Sequence, residues 1–285
     1  MKKDYDVLEF HKIINELMEL ALLESTKEKF LDIDIIKEKS ILDRELMLMK
    51  EMIDFYKYDD GLELAGLADI TRMMNSIDII GSYLSAEDLA VLKKNLTIFR
   101  ISKSRAKNVR DKYKTIWNLF SDVEEVREIE NFISEAINDE GILKDDASIG
   151  LRDVRRQKQN INANIKEKFD ELISNKNTQN AIQERIVTQR NDRYVIAVKT
   201  DFKGLVKGIE HDRSATGSTV YIEPLNVVSL NNKLREYEAR EREEIRKILL
   251  RITEIVKTKK EEILEIKEIL ERLDFIDAKT TYSIN

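Results

Sequence analysis

The sequence predicts a mainly α-helical protein: a helical bundle body, and two long antiparallel helices that carry a small antiparallel β element at their tip. Three observations support this fold class. Only 8 of the 285 residues are Gly and only 1 is Pro, so the chain lacks the residues that turn-rich β folds need at their corners. Charged residues make up 36% and apolar residues 42%, which suits long amphipathic helices. Apolar residues also recur at helical spacing along most of the chain.

The first half of the chain is predicted to consist of several helices, with a break at residues 59–61. Apolar residues three or four apart predict helices over residues 7–23 and 35–58, and further helices follow as far as residue 137. Ser85, followed three residues later by Asp88, is typical of a capping box that begins a helix. The inner face of that helix is predicted to consist of Leu89, Leu92, Leu96 and Phe99.

Two later helices are predicted to be much longer. Steps of three and four from Leu151 onward predict a polar helix that ends near Ser174. The same rhythm predicts one helix over residues 230–273, which would be about 65 Å long. Within it, consecutive steps of four at Glu241 and Lys259 indicate stutters in a heptad pattern. A helix of this length has to pack along a partner, and the first long helix, running antiparallel, is the nearest candidate.

The composition changes between the two long helices. Residues 193–199, 202–209 and 218–222 are rich in β-branched and aromatic residues and predict three strands. A thin β element at the tip of a helical hairpin lacks the walls of a pocket, so it is expected to make contacts rather than to catalyse a reaction. The predicted divisions are a helical core at 1–148, a first long helix at 149–184, the β element at 185–224, and a second long helix at 225–285 that returns to the core.

Composition also excludes several kinds of site. With no Cys, and with His11 and His211 as the only histidines, neither a thiolate or histidine metal site nor a Cys nucleophile is expected. No phosphate-binding loop of the Gly-x-x-x-x-Gly-Lys-Ser/Thr type occurs, and residues 216–219 resemble one only superficially. Asp201 and Lys203 are spaced as in some metal-dependent nucleases, but a solvated hairpin explains them better. We therefore expect no catalytic residue, metal or cofactor in this chain, no membrane segment, and a cytoplasmic location.

Two basic runs oppose the net charge of −6. Residues 185–217 carry seven Lys or Arg against four acidic residues, which favours sequence-independent contact with phosphates; charged edge strands that discourage aggregation are the alternative. Residues 100–114 carry seven basic residues and one acid, and either a solvated face or a phosphate-facing ridge explains them. The candidates in the first run are Arg185, Arg190, Arg193, Lys199, Lys203, Lys207, His211 and Arg213. The candidates in the second, predicted to share one helical face, are Arg100, Lys103, Lys107, Arg110 and Lys114.

A resemblance to a known family appears in the β region. Residues 193–199 and 204–224 resemble the central signature of the MutS-II family, the second branch of bacterial MutS proteins, and 227–236 and 137–148 are also similar to it. The similarity runs along the whole chain in the same order, with Ala197 where a proline is more often expected. The resemblance implies that the long helices are levers and the β element a clamp. It also implies that the family's ATPase and small C-terminal nuclease-like domains lie outside the chain, beyond Asn285.

The resemblance carries functional expectations as well. It implies binding of nucleic acid, either branched DNA during suppression of recombination or the rRNA of collided ribosomes that are split. ATP and Mg²⁺ would belong to the full-length protein, which would act as a homodimer and possess ATPase and potential endonuclease domains. This part alone would be no enzyme and would take no small-molecule substrate. The competing hypothesis is a structural module whose long helices pair with another protein or a second copy, without contact to nucleic acid.

Overall fold

The computed structural model describes residues 8–284 and confirms the predicted fold class, because 63% of these residues are helical and a small four-stranded antiparallel sheet is present. The chain divides into two compact units. The helical unit comprises Met1–Lys144 with Leu249–Asn285, and the sheet unit comprises Asp145–Ile248. Within residues 8–284, no helix is both long enough and apolar enough to cross a membrane.

The elements follow one another from a helical half into the sheet and back into helices. Between β2 and β3 lies a 3₁₀ helix, Thr200–Leu205. The predicted position Val7 and the terminal Asn285 lie outside the described residues. In chain order the elements are α1 (Phe10–Leu20), α2 (Glu24–Leu31), α3 (Lys39–Tyr58), α4 (Thr71–Ser76), α5 (Ala86–Asn108), α6 (Lys114–Asn118), α7 (Arg127–Ala136), α8 (Ile149–Ser174), β1 (Ile182–Arg190), β2 (Arg193–Lys199), β3 (Gly208–Arg213), β4 (Thr219–Pro224), α9 (Leu225–Thr258) and α10 (Lys260–Ile284).

Helix α5 begins as the sequence predicts. The Ser85 hydroxyl accepts a hydrogen bond from the Asp88 N–H at 3.0 Å, and the Asp88 carboxylate accepts one from the Ser85 N–H at 3.2 Å, which completes the capping box. Burial of a large apolar side chain contributes about 1.5–3 kcal/mol, so the inner face of α5 holds the helix in the core. The residues predicted on this face are all buried: Leu89, Leu92, Leu96 and Phe99.

Helix α10 packs against α1, α3 and α5 in the helical unit. Its Asp274 carboxylate is fully buried and accepts hydrogen bonds from the N–H groups of Leu22 and Leu23, at 2.9 and 3.0 Å. These residues immediately precede α2, so Asp274 places a polar partner at a helix start, where backbone N–H groups otherwise lack one. Phe30 of α2 stacks on Phe275 of α10, with ring centroids 4.4 Å apart. Segments that are distant in sequence are thereby joined.

Helix α8 confirms the predicted polar helix. The Ser148 hydroxyl caps its first turn by accepting a hydrogen bond from the Leu151 N–H at 3.0 Å. Arg155 and Lys158 of α8 both pair with Glu241 of α9, and the Arg155 Nε lies 2.9 Å from its carboxylate. Burial would raise the pKa of Glu241, but the hydrogen bonds from these two cations outweigh burial and hold the pKa below its usual value.

The prediction of a single helix over residues 230–273 is wrong at one point. The chain forms two helices, α9 and α10, and the break falls at Lys259, one of the two positions where the heptad rhythm changes. There the Lys259 N–H bonds to the carbonyl of Val256, three residues back, at 3.0 Å. This tighter bond interrupts the regular helical ladder. Glu241, the other position, lies within α9 and causes no break.

The sheet has the strand order β1-β2-β4-β3 and is antiparallel throughout. Strands β2 and β4 confirm two of the three predicted strands. The strand predicted over residues 202–209 is wrong, because the chain first forms the 3₁₀ helix and β3 begins only at Gly208. A Cβ at Gly208 would lie 2.3 Å from the carbonyl oxygen of Glu223, so β3 approaches β4 at a distance that requires glycine.

Strand β1 has no counterpart among the predicted strands. Its residues are mostly polar, and its pairing with β2 is irregular between Ile182 and Val187. Both features are common in edge strands, and they remove the alternation by which a strand is recognised in a sequence. Because β1 begins at Ile182, the sheet starts before the predicted boundary at residue 185.

One face of the sheet packs on α8 and α9. The helices that flank the sheet in sequence therefore cover it, and the expectation of a thin β element without walls is wrong for this face. The buried cluster joins Ile196, Val198, Val220 and Ile222 of the strands with Ile161, Ile165 and Phe169 of α8 and with Val227 and Leu234 of α9. The sheet is thus one layer of a two-layer core within its unit.

Candidate nucleic-acid interface

Two predicted contacts, Arg193 and His211, are engaged by a buried carboxylate. Glu223, near the end of β4, is fully buried. Its Oε1 lies 2.7 Å from Arg193 Nη1, and its Oε2 lies 2.6 Å from His211 Nε2. Asn231 of α9 donates a further hydrogen bond to Oε1 at 2.8 Å. Burial alone would raise the pKa of Glu223, but the three hydrogen bonds outweigh it and hold the pKa below its usual value.

Asn231 also completes the sheet where β4 ends. Its Oδ1 accepts a hydrogen bond from the Tyr194 N–H at 3.2 Å, and its Nδ2 donates to the Tyr194 carbonyl at 3.1 Å. Pro224 is the last residue of β4 and has no N–H to donate to β2. The side-chain amide of Asn231 therefore supplies hydrogen bonds to Tyr194 of β2 where the backbone of β4 ends. Arg193 Nη2 donates to Asn232 at 2.7 Å. This network fixes the junction between the sheet and α9.

Arg190 lies across the face of the sheet that does not pack on α8 and α9. Its guanidinium is 4.3 Å from the centroid of the Tyr221 ring on β4, and its Nε is 3.1 Å from Asp212 on β3. Since β2 lies between β1 and β4, the Arg190 side chain crosses β2 to reach Tyr221. The pairing register places Val195 and Ala197 of β2 on this face, and both are buried. Arg190 is therefore engaged within the protein.

Lys203 and Arg213 share one exposed carboxylate. Arg213 Nε pairs with Glu210, and Lys203 Nζ lies 3.5 Å from the other oxygen of the same side chain. The hydrogen bond from Arg213 is the main reason that the pKa of Glu210 is lowered. Exposed ion pairs contribute little to stability, because water competes for both charges. Both cations can therefore exchange this carboxylate for a phosphate.

The remaining cations of the first run, Arg185, Lys199 and Lys207, form no ion pair within residues 8–284. Arg185 and Lys207 are exposed and Lys199 is half-buried. Lys199 is opposite Thr219 at the start of β4, whereas Lys207 directly precedes the residue opposite Pro224 at its end. The available cations are thus distributed along the sheet and do not converge on one pocket.

The second basic run does not form the predicted single face. Helix α5 ends at Asn108, and residues 109–112 form turns before α6 begins. Arg110 and Lys114 therefore lie beyond the helix that carries the other predicted candidates, Arg100, Lys103 and Lys107. The physical cause is a shift to tighter bonds, since the Val109 N–H bonds to a carbonyl three residues back. Among the predicted candidates of the run, Lys107, Arg110 and Lys114 are exposed.

The other two predicted candidates of this run, Arg100 and Lys103, have partners in the helical unit. Nε of Arg100 lies 3.1 Å from both carboxylate oxygens of the buried Glu130, which also accepts a hydrogen bond from the Thr97 hydroxyl at 2.8 Å. The hydrogen bond to Glu130 is the main reason that the pKa of Arg100 is raised. Lys103 Nζ donates to the Val123 carbonyl. Arg100 and Lys103 are therefore engaged within the helical unit.

The weaker catalytic candidates acquire no supporting geometry. Within residues 8–284, no group of three or more potential ligands among His, Asp and Glu is arranged to hold a metal ion. In the turn between β3 and β4, the hydroxyls of Thr216 and Ser218 lie 2.8 Å apart, and the Ser214 hydroxyl accepts a hydrogen bond from the Thr219 N–H at 3.1 Å. Asp201 lies exposed on the 3₁₀ helix.

Comparison with known proteins identifies the family. No family model matches the chain. A protein named Endonuclease MutS2 from Fusobacterium nucleatum subsp. nucleatum is 44% identical over 283 residues, which is 99% of this chain. Proteins of the same name from Caldanaerobacter subterraneus subsp. tengcongensis and Aquifex aeolicus are each 34% identical, over 287 and 286 residues. The chain belongs to the MutS2 family.

MutS2 is the family that the sequence resembles under the name MutS-II, so that prediction is confirmed. The chain spans 36% of the length of the Fusobacterium and Caldanaerobacter relatives and 37% of the Aquifex relative. It therefore corresponds to about a third of a MutS2 protein. The word endonuclease in their name describes those longer proteins.

Glu223 and Asn231 are not among the predicted site residues, although both lie within segments that resemble the family signature. Their roles depend on Arg193 and Tyr194, which are about thirty and forty positions earlier in the chain. One signal is nevertheless present in the sequence. Glu223 follows an apolar strand, and a carboxylate placed there needs a buried cation or several hydrogen-bond donors.

Proposed function

We propose that this chain is the non-catalytic lever and clamp region of a MutS2 protein, and that its sheet unit contacts the backbone of nucleic acid. One observation carries the proposal: several cations of the sheet unit are not engaged in buried pairs. Such side chains bind phosphates without reading the sequence of bases. Membership of the MutS2 family supports an interaction with nucleic acid. The proposed contacts are Arg185, Lys199, Lys203, Lys207 and Arg213, with the exposed Lys107, Arg110 and Lys114 as a secondary surface.

In this proposal, residues 149–184 and 225–285 act as levers and residues 185–224 act as the clamp on a core at 1–148. A packed helix pair moves as a body, so contact at the sheet can be coupled to a distant ATPase. ATP, Mg²⁺ and the endonuclease activity named for the relatives would belong to the rest of a longer protein. That protein would act as a homodimer, because two clamps can enclose a partner that one clamp cannot.

The partner is either branched DNA or ribosomal RNA, and one experiment addresses both. Affinity is measured for a synthetic four-way DNA junction and for purified ribosomes, each across a KCl series. If the sheet unit contacts phosphates, log affinity falls linearly with log salt, because each contact releases counterions. Changing Lys199, Lys203 and Lys207 to Glu is expected to weaken binding by about tenfold or more and to reduce the salt slope by about three.

A matched control makes the same change in charge elsewhere. Lys37, Lys39 and Lys50 are exposed in the helical unit, and changing them to Glu is expected to leave affinity near that of the unchanged protein. Two results would contradict the proposal: binding that survives the substitutions in the sheet unit, or binding that falls equally in both triple variants. The target that binds more tightly at physiological salt identifies the partner.

A protein-interaction module is the second candidate function. It is favoured by the first half of α3, where apolar side chains are exposed together, a feature typical of protein interfaces. Those side chains are Ile41, Leu42, Leu46 and Met47, which are 38–59% exposed. The apolar positions of α9 do not favour it in the same way, because Leu234, Ile248 and Ile252 are already buried. If this candidate is correct, neither nucleic-acid target binds in the salt series.

A further inference from the structure

The 3₁₀ helix Thr200–Leu205 presents two large apolar side chains to solvent. Phe202 is 46% exposed and Leu205 is 51% exposed, although burial of either would be favourable. Between them lies Gly204, where an added Cβ would meet no described atom within 4 Å. The surface around Gly204 is therefore open, and a flat ligand can approach the segment there.

The segment is anchored at both ends. The Thr200 N–H donates to the Ser218 carbonyl at 3.0 Å, and the Thr200 hydroxyl donates to the Gly217 carbonyl at 2.6 Å. At the other end, Val206 is buried in the core of the sheet unit, and its N–H bonds to the Lys203 carbonyl at 3.2 Å. The exposed side chains of Phe202 and Leu205 thus lie on a turn whose two ends are fixed by hydrogen bonds and by burial of Val206.

Cations flank these apolar side chains in the sequence. Lys199 and Lys207 flank the 3₁₀ helix and Lys203 lies within it, while Asp201 is the single acid from residue 199 to 207. Within residues 8–284, the ion-pair partner of Lys203 is the exposed Glu210 alone, at 3.5 Å. A surface that combines lysines with an exposed ring fits a polyanion that also has flat apolar faces. Unstacked bases beside their own phosphates have this chemistry.

We propose that Phe202 and Leu205 form an apolar wedge that contacts unstacked bases, while the neighbouring lysines contact the adjacent phosphates. Aromatic side chains stack on bases of any sequence, and Phe and Leu are among the side chains that insert between base steps. The wedge rests on the proposed function and narrows its ligand to nucleic acid with unpaired or splayed bases. A fully stacked duplex offers the wedge no exposed base face.

The test uses three DNA probes of equal length: a duplex, a single strand, and a duplex with a bulge of unpaired bases that contains 2-aminopurine. Phe202→Ala is expected to weaken binding of the single strand and the bulge by about tenfold, as for loss of one stacked base, with little change for the duplex. The salt slope stays constant, because no phosphate contact is lost. Phe202→Trp is expected to retain affinity and to preserve the change in 2-aminopurine fluorescence on binding.

Ile80→Ala is the matched control, since Ile80 is 99% exposed in the helical unit, and it is expected to change none of the three affinities. If Phe202→Ala binds the unpaired probes as tightly as the unchanged protein, the wedge is overturned. The proposed function then still stands, provided that the Lys→Glu variant binds weakly. The proposed function fails as well if the triple variant with Lys199, Lys203 and Lys207 changed to Glu binds as tightly as the unchanged protein. Loss of binding to phosphatidylglycerol vesicles in Phe202→Ala, with DNA binding intact, overturns the wedge in favour of a membrane contact.

Discussion

Two basic runs of similar content have different surroundings in the two units. Residues 100–114 and residues 185–217 each contain seven Lys or Arg. In the helical unit, Glu130 engages one arginine and the helix ends at Asn108, so the run is divided. In the sheet unit, Glu223 engages one arginine and the histidine, and other cations stay available along the strands. Buried carboxylates, which basic composition does not reveal, therefore decide which cations can meet a partner.

The two carboxylates also differ in their access to water. The Glu223 side chain is fully buried and that of its partner Arg193 is 18% exposed. The Glu130 side chain is 10% exposed and that of Arg100 is 33% exposed. A cation that loses its partner is penalised most where water cannot replace that partner. The two sites are therefore expected to respond unequally to the same substitution.

The largest effect is expected for Glu223→Ala. Removal of this carboxylate leaves Arg193 without its buried partner and breaks the link to Asn231, so the sheet unit should lose about 3–5 kcal/mol of stability. Hydrogen exchange over residues 193–222, followed by mass spectrometry, measures the change. Glu210→Ala is the control, because Glu210 pairs with cations only at the exposed surface, and little change is expected. Equal exchange in both variants would show that the buried network does not support the sheet.

An intermediate effect is expected for Glu130→Ala in the helical unit. Arg100 and Thr97 lose their partner, but water can reach the partly exposed guanidinium, so the loss should be about 1–3 kcal/mol. Trp117 is the only tryptophan and lies in this unit, so urea unfolding followed by its fluorescence measures the loss. Glu135→Ala, at an exposed position of α7, should have little effect. A loss as large as that in Glu223→Ala would remove the proposed difference between the sites.

The smallest effect is expected in how the stability of each unit changes with pH. Burial and the neighbouring Asp274 raise the pKa of Asp277 in the helical unit, and the hydrogen bond from Tyr56 offsets this only in part. A carboxyl group whose pKa is raised by folding stabilises the folded protein only at low pH. This contribution is lost as pH rises from the pKa of the unfolded state, about 3.9, through the pKa of the folded state. Glu223 has the opposite shift, so its contribution is present above about pH 4.3 and is lost as pH falls through its folded pKa.

Asp277→Asn should therefore stabilise the helical unit at pH 7, because the amide is uncharged and can still accept the Tyr56 hydrogen bond. The effect should diminish towards pH 3.5, where the carboxyl group of the unchanged protein is itself protonated. Glu223→Gln should destabilise the sheet unit at pH 7, and this difference should also shrink in acid. Urea midpoints for the first variant and hydrogen exchange for the second, each at several pH values, measure both trends. Two variants that change stability with the same sign would contradict the opposite shifts.

Local signals in the sequence were sufficient for much of the helical fold. The cap at Ser85 and the inner face of α5 depend on residues within a few turns, so their spacing predicts them. The heptad rhythm located Lys259 as an irregular position, but periodicity alone does not distinguish a stutter from a break. Strand β1 is recognisable only through its pairing with β2, which is a contact between segments and leaves little trace in a polar edge strand.

The candidate site was predictable as a region and less so as individual residues. The basic content of residues 185–217 indicated where phosphates could bind. Which cations stay available depends on Glu223 and Asp212, and these contacts form only when the strands align. The exposed position of Phe202 likewise follows from the 3₁₀ helix that replaces a predicted strand. In a strand of the sheet, a phenylalanine is more often part of the core.

The junction between Pro224 and Leu225 has a consequence for engineering. The strand passes directly into α9 with no linking residue, and Asn231 reaches Tyr194 only when the spacing along the first turns of α9 is kept. One inserted residue would rotate the rest of the helix by about 100° and turn the amide away from the strand. A fluorescent label or tag inserted at this junction would therefore break the contact between Asn231 and Tyr194.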